Sequence, residues 1–107
     1  MKPLEKGFYY NFKHDPLIGI YHFAYFILPY PAGDSESPEI KRGGYLRLYG
    51  TPYLWTRPIG MFPEDVSGRA DNPMKQKKRF MKIEDKETIQ ILTEELKEMY
   101  PEINPFP

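Results

Sequence analysis

A chain of 107 residues has room for one domain, with a core large enough to need no staple. Without cysteine it can form no disulfide, thiolate metal site or cysteine nucleophile. Fifteen basic residues against fifteen acidic ones remove any overall pull towards nucleic acid or an anionic membrane.

Aromatic residues make up 16% of the chain. Each ring buries on the order of 150–250 Å², which compensates for a modest aliphatic content. Nine of the twelve prolines and all eight glycines lie before residue 74 and divide that part into pieces too short for a long helix, so short strands between turns are expected. The first is Gly7 to Lys13, where Phe8, Tyr10 and Phe12 alternate with Tyr9, Asn11 and Lys13. His14-Asp15-Pro16 ends it. The second, Ile20 to Tyr30, is apolar on both faces apart from His22 and reads as a central strand. Its apolar core, Phe23 to Tyr30, is far short of the ~20 residues that span a bilayer.

Residues 31–44 are polar and rich in turn formers, and are expected to be a loop. Tyr45 to Tyr49 is the third strand, with Leu46 and Leu48 on one face and Tyr45, Arg47 and Tyr49 on the other. Gly50-Thr51-Pro52 turns the chain into a fourth strand, Tyr53 to Arg57, making a hairpin. Pro58 to Phe62 suits a single helical turn. A second polar loop, 67–78, precedes a short fifth strand, Arg79 to Ile83, whose main inward residue is Phe80.

A helix is predicted from Asp85 to Tyr100. Asp85 is a good N-cap, and Ile89, Leu92, Leu96, Met99 and Tyr100 form an apolar stripe at helical spacing. Pro101 stops it, and 101–107 has no pattern of its own. The chain is therefore one mainly β (α+β) domain: a barrel part, 7–83, and a C-terminal amphipathic helix, 85–100. Five short strands with edges to protect favour a small partly open barrel, ahead of a flat sheet with the helix on one face. Met1 to Lys6 has no apolar run behind it, and together with the missing cysteine this points to a soluble cytoplasmic protein.

The run Leu54-Trp55-Thr56-Arg57-Pro58-Ile59-Gly60-Met61-Phe62-Pro63-Glu64 is distinctive. With Gly7-Phe8-Tyr9-Tyr10-Asn11-Phe12-Lys13 and Tyr45-Leu46-Arg47-Leu48-Tyr49, it resembles domain-of-unknown-function family 1653, small bacterial and phage proteins. Members share G-x-Y-x-H-[FY]-K, then Y-x-x-L-Y, then R-P-x-x-M-F-x-E, then R-F before a final helix. Arg79-Phe80 and the helix from Asp85 fit that ending, so the likeness spans roughly residues 7–100. It implies an SH3-like barrel and supplies no catalytic residues. Asn11 stands where the family has histidine, and Leu28 to Asp34 replaces its H-x-T-E segment.

Four chemistries can be weighed. A metal needs three or four converging ligands. Only His14 and His22 are available, and His14-Asp15 reads as a turn pair, so no metal or other cofactor is expected. Ser35 and Ser37 lack a glycine-framed elbow, Gly43-Gly44 is a turn, and Glu64-Asp65 are solvated or partner Arg57; enzyme activity is not expected. A small-molecule enzyme or sensor would need a pocket holding His22. The basic run Lys75, Lys77, Lys78, Arg79, with Phe80 interleaved, could hold single-stranded nucleic acid. It reads more simply as a solvated loop paired with the acidic helix.

The favoured surface combines Tyr9, Asn11 and Lys13 with Tyr45, Arg47 and Tyr49 and with Trp55 and Arg57, if these strands lie side by side. Tyrosine, tryptophan and arginine are the types enriched at binding hot spots. The expected function is a non-enzymatic module for a peptide or protein segment. The alternative is that the same rings close the barrel and Arg57 buttresses the turn through Glu64. Trp55, Met61 and Phe62 are expected to anchor the core.

Overall fold

The computed structural model describes residues 5–32, 36 and 42–102, with 29–32 described by backbone alone. The expected loop between 33 and 41, apart from Glu36, and the tail beyond 102 lie outside these residues.

Strand β1 is Gly7–Asn11, β2 Ala24–Ala32, β3 Arg42–Arg47, β4 Leu54–Pro58 and β5 Phe80–Lys82; a 3-10 turn, Ile59–Met61, follows β4. The helix α1 is Lys86–Met99, capped by Asp85 and closed by Tyr100. All strands pair antiparallel in one sheet of order β4-β3-β2-β1-β5. The domain is mainly β with one C-terminal helix, as expected.

The second and third strands depart furthest from expectation. β2 starts at Ala24, because 15–23 is a chain of turns: His22 N–H donates to the Gly19 carbonyl at 3.2 Å and Ala24 N–H to Tyr21 at 3.1 Å. Phe23 sits at φ 52°, a left-handed conformation no strand accommodates. β2 also runs on through Pro29 and Pro31. It does so with a register shift against β3 between Ile27 and Pro31, where proline has no N–H to give the ladder. β3 accordingly begins at Arg42, inside the expected loop, and stops at Arg47. Gly50, at φ 63°, makes the turn into β4.

The sheet does not close on itself. After the 3-10 turn, the chain crosses back and hydrogen-bonds to the approach of β5. Phe80 N–H donates to Phe62 O at 3.3 Å, Arg79 N–H to Glu64 O at 2.8 Å and Val66 N–H to Lys77 O at 2.8 Å. This irregular pairing joins the two ends of the curled sheet and yields a partly open barrel.

Strand alternation gives the sheet two apolar faces. On one, Phe8, Ala24, Phe26, Leu46 and Leu48 pack with Ile83, Leu92, Leu96 and Tyr100, so the helical stripe covers this face. On the other, Tyr9, Tyr25, Ile27 and Tyr45 pack with Phe62 and Phe80. Each fully buried Leu, Ile or Phe contributes roughly 1.5–3 kcal/mol, so both clusters are needed to hold a sheet of such short strands.

The second polar loop is pinned from within. Asn72 is buried, donating to Val66 O at 3.0 Å and Gln76 O at 2.7 Å. Buried Gln76 donates through Nε2 to Tyr10 O at 3.0 Å and Lys78 O at 2.8 Å. Beside them, the Phe12 ring lies under the guanidinium groups of Arg69 and Arg79, at 4.8 and 5.1 Å.

Candidate functional site

The residues singled out from sequence share one face of the sheet but not one site. β2 lies between β1 and β3, so the first strand is not beside the third and fourth. Asn11 is buried at the end of β1, where its Oδ1 accepts from Lys13 N–H at 3.0 Å and shapes a turn. Lys13 is exposed and stands 3.9 Å from Asp71. Tyr9 is buried, and its hydroxyl donates to Glu5 O at 3.0 Å. Burial pushes its hydroxyl above the ordinary tyrosine range.

The tyrosines form a floor. Tyr45, 4% exposed, meets Tyr25, Phe62 and Phe80 edge-on at 5.0, 5.7 and 5.5 Å. Tyr25 and Tyr49 share a short hydroxyl–hydroxyl hydrogen bond. Burial raises Tyr25 far above its usual range and Tyr49 above it too. These hydroxyls stay protonated at neutral pH and offer hydrogen bonds, not a base.

Above this floor the β3–β4 hairpin carries an exposed rim. Tyr53 and Trp55 stack at 4.7 Å with a 34° tilt, and are 53% and 41% exposed. The Arg47 guanidinium lies 5.3 Å from the Tyr49 ring, 5.8 Å from Tyr53 and 6.0 Å from Trp55. Its Nε and Nη2 donate to Thr51 O at 3.1 and 2.7 Å. Arg57 Nε donates to the Tyr45 hydroxyl at 2.8 Å.

Trp55 is therefore not a core anchor. It stands on β4, one of the two edge strands, where no further strand among the described residues covers it. Phe62 is buried as expected, and Met61 half-buried. Nor does Arg57 pair with Glu64, because Arg79 takes Glu64 at 2.9 Å. Tyr53, whose exposure completes the rim, was missed. It precedes the strand proper, and only its two-residue spacing from Trp55 hinted that the rings could meet.

The basic run divides in the same way. Lys75, Lys77 and Lys78 are exposed, while Arg79 is buried against Glu64 and Phe12, and Phe80 belongs to the aromatic floor. Among the described residues no ion pair joins the run to the helix.

The two histidines hold a turn together. Nδ1 of buried His14 donates to the His22 carbonyl, Asp15 N–H donates to His22 Nδ1 at 3.0 Å, and the His14 ring stacks on Tyr10 at 3.6 Å. Among the described residues no three His, Asp or Glu side chains converge as a metal site would require. No helix among them is long and apolar enough to cross a membrane.

Compared with protein-family models, curated proteins and solved structures, the chain shows no match.

Proposed function

We propose that this chain is a non-enzymatic binding module that receives a peptide or protein segment on the rim of the β3–β4 hairpin. The observation that carries this reading is the run Tyr53, Leu54 and Trp55, each more than two-fifths exposed, with Arg47 set against both rings. Large side chains left in water on a strand edge gain most by burial against a partner, and Trp, Tyr and Arg are the usual centres of such contacts.

The backbone supports an extended partner. Arg47 N–H donates to Tyr53 O, so residues 53, 55 and 57 bond inward to β3. Leu54 then turns its amide and carbonyl outward and Thr56 its amide, where a further strand can add, while the Thr56 carbonyl is held by Arg42 Nη2 at 3.2 Å. The nucleic-acid alternative loses support because Arg79 and Phe80 are used within the fold, and a sensor centred on His22 loses support because its Nδ1 is bound to Asp15. The order of the sequence motifs supports a place near domain-of-unknown-function family 1653, and the lack of cysteine supports a cytoplasmic setting.

Selection from a displayed random-peptide library tests the proposal. The native protein should enrich peptides, while Arg47→Ala and Trp55→Ala should lose that enrichment with melting temperatures within a few degrees of the native one. Failure of the native protein to enrich any peptide, or equal enrichment by both variants, removes it.

A further inference from the structure

We infer that the segment bound by this hairpin is acidic, an extended peptide that brings carboxylates to Arg47 and Arg57 on either side of the Tyr53–Trp55 pair. The inference rests on the binding-module reading and narrows it to one chemistry.

Residues 42–58 contain Arg42, Arg47 and Arg57 and no Asp, Glu or Lys, in a chain whose formal charge is zero. The remaining two arginines each hold a carboxylate: Arg69 takes Asp71 at 3.0 Å and Arg79 takes Glu64 at 2.9 Å. Among the described residues, no ion pair involves the hairpin arginines. Each is instead tethered to neutral oxygens: Arg42 to Thr56 Oγ1, Arg47 to the Thr51 carbonyl, Arg57 to the Tyr45 hydroxyl. A guanidinium has five donors in a planar fork. The tethers use one or two, orient the plane, and leave donors for bidentate capture of a carboxylate.

The spacing specifies the ligand further. Arg47 lies level with Tyr53 through its ladder bond, and Arg57 lies two residues beyond Trp55 on the same face. Four strand residues separate the two levels, about 13 Å at the usual rise. An added strand would therefore place acids at positions i and i+4, with an apolar side chain at i+2 over the rings. A peptide is favoured over single-stranded nucleic acid because the outward amide and carbonyl of Leu54 and the outward amide of Thr56 have ladder partners only in another polypeptide. Arg42 reaches Thr56 from the opposite face, donating to its Oγ1 at 3.0 Å and its carbonyl at 3.2 Å, so it occupies that one acceptor and brings no charge to the Tyr53–Trp55 side.

Trp55 is the only tryptophan, so its emission reports on this surface directly. The full chain is titrated with a synthetic peptide containing Glu-Thr-Val-Thr-Glu, with its Gln-Thr-Val-Thr-Gln counterpart, and with oligothymidine. The glutamate peptide should give a saturating change that weakens as salt is raised, and bind at least about tenfold more tightly than the glutamine peptide. Arg47→Gln and Arg57→Gln should each weaken it by a similar factor, Arg57→Lys should not restore it, and Arg42→Gln, which removes a charge but frees the Thr56 carbonyl, should not weaken it. Equal binding of the glutamine peptide overturns the acidic chemistry while leaving the binding module standing. Binding of oligothymidine in place of the peptide overturns the choice of partner. No response to any probe overturns the inference, and the library selection then decides independently whether the module reading survives.

Discussion

Single side chains do much of the joining in this molecule. The Tyr100 hydroxyl accepts from Tyr53 N–H at 2.8 Å and donates to the Arg47 carbonyl at 2.8 Å. It thus stands where the last ladder bond of the hairpin would be, and ties the end of the helix to the strands that carry the exposed rings. Tyr100→Phe keeps the packing but strands two backbone groups, so unfolding in urea should show a loss of about 1–3 kcal/mol. His14 gives a pH dependence whose sign follows from its burial. Desolvation holds its pKa below the ordinary 6.5, so as pH falls the unfolded chain takes up a proton first. The stability it contributes is complete above about pH 6.5 and is lost on acidification towards the lowered folded value. The urea midpoint should therefore drop between about pH 7.5 and 5.5, and His14→Phe, which can keep a stack on Tyr10, should flatten that drop. Neither role was visible from residue type: Tyr100 read as the last member of a stripe, and His14 as half of a turn pair.

Elements with a clean period were the legible ones. The helix lies within a residue of its expected ends because its cap and its apolar spacing agree. Asp85 accepts from Thr88 N–H at 2.9 Å and from Thr88 Oγ1 at 2.6 Å, and Leu92 and Leu96 are fully buried. Asp85→Ala should cost about 1 kcal/mol of stability, read as a lower melting temperature with the sheet otherwise intact. β1 was likewise fixed by alternation, to within two residues, and β5, read from its single inward Phe80, lies within one residue of its expected ends. β2 was not, because an unbroken apolar run from Ile20 carries no period that marks where turns give way to strand. β3 was displaced for a different reason: Arg42, Gly43 and Gly44 have turn-like composition, yet the β2 segment 29–32 and β4 supply ladder partners on both sides. Loop 67–78 looked merely polar, and nothing local distinguishes Asn72, whose buried amide bonds to nearby backbone, or Gln76, whose amide reaches the Tyr10 carbonyl far along the chain.

At the scale of the whole molecule, the architecture followed from composition, while the division of the aromatic face did not. Seven phenylalanines and nine tyrosines in 107 residues are available to cover both sides of a small sheet, and among the described residues both clusters include them. Which rings sink and which stay outside depends on strand order, which sequence spacing cannot give. Tyr45 is deep because β3 has neighbours on both sides, and Trp55 is shallow because β4 has one among the described residues. The same order separates Asn11 and Lys13 from the hairpin by the width of β2. The Tyr100 bridge also has a bearing on how the protein comes into being. Its partners, Arg47 and Tyr53, precede it by 53 and 47 residues, and chains are made from the N-terminus. On the ribosome the rim of rings can be synthesised, and even paired, well before the hydroxyl that locks it has left the exit tunnel. The surface most exposed to a partner is therefore the last to set, so a nascent chain holds its sticky hairpin in an unfinished form until the helix arrives.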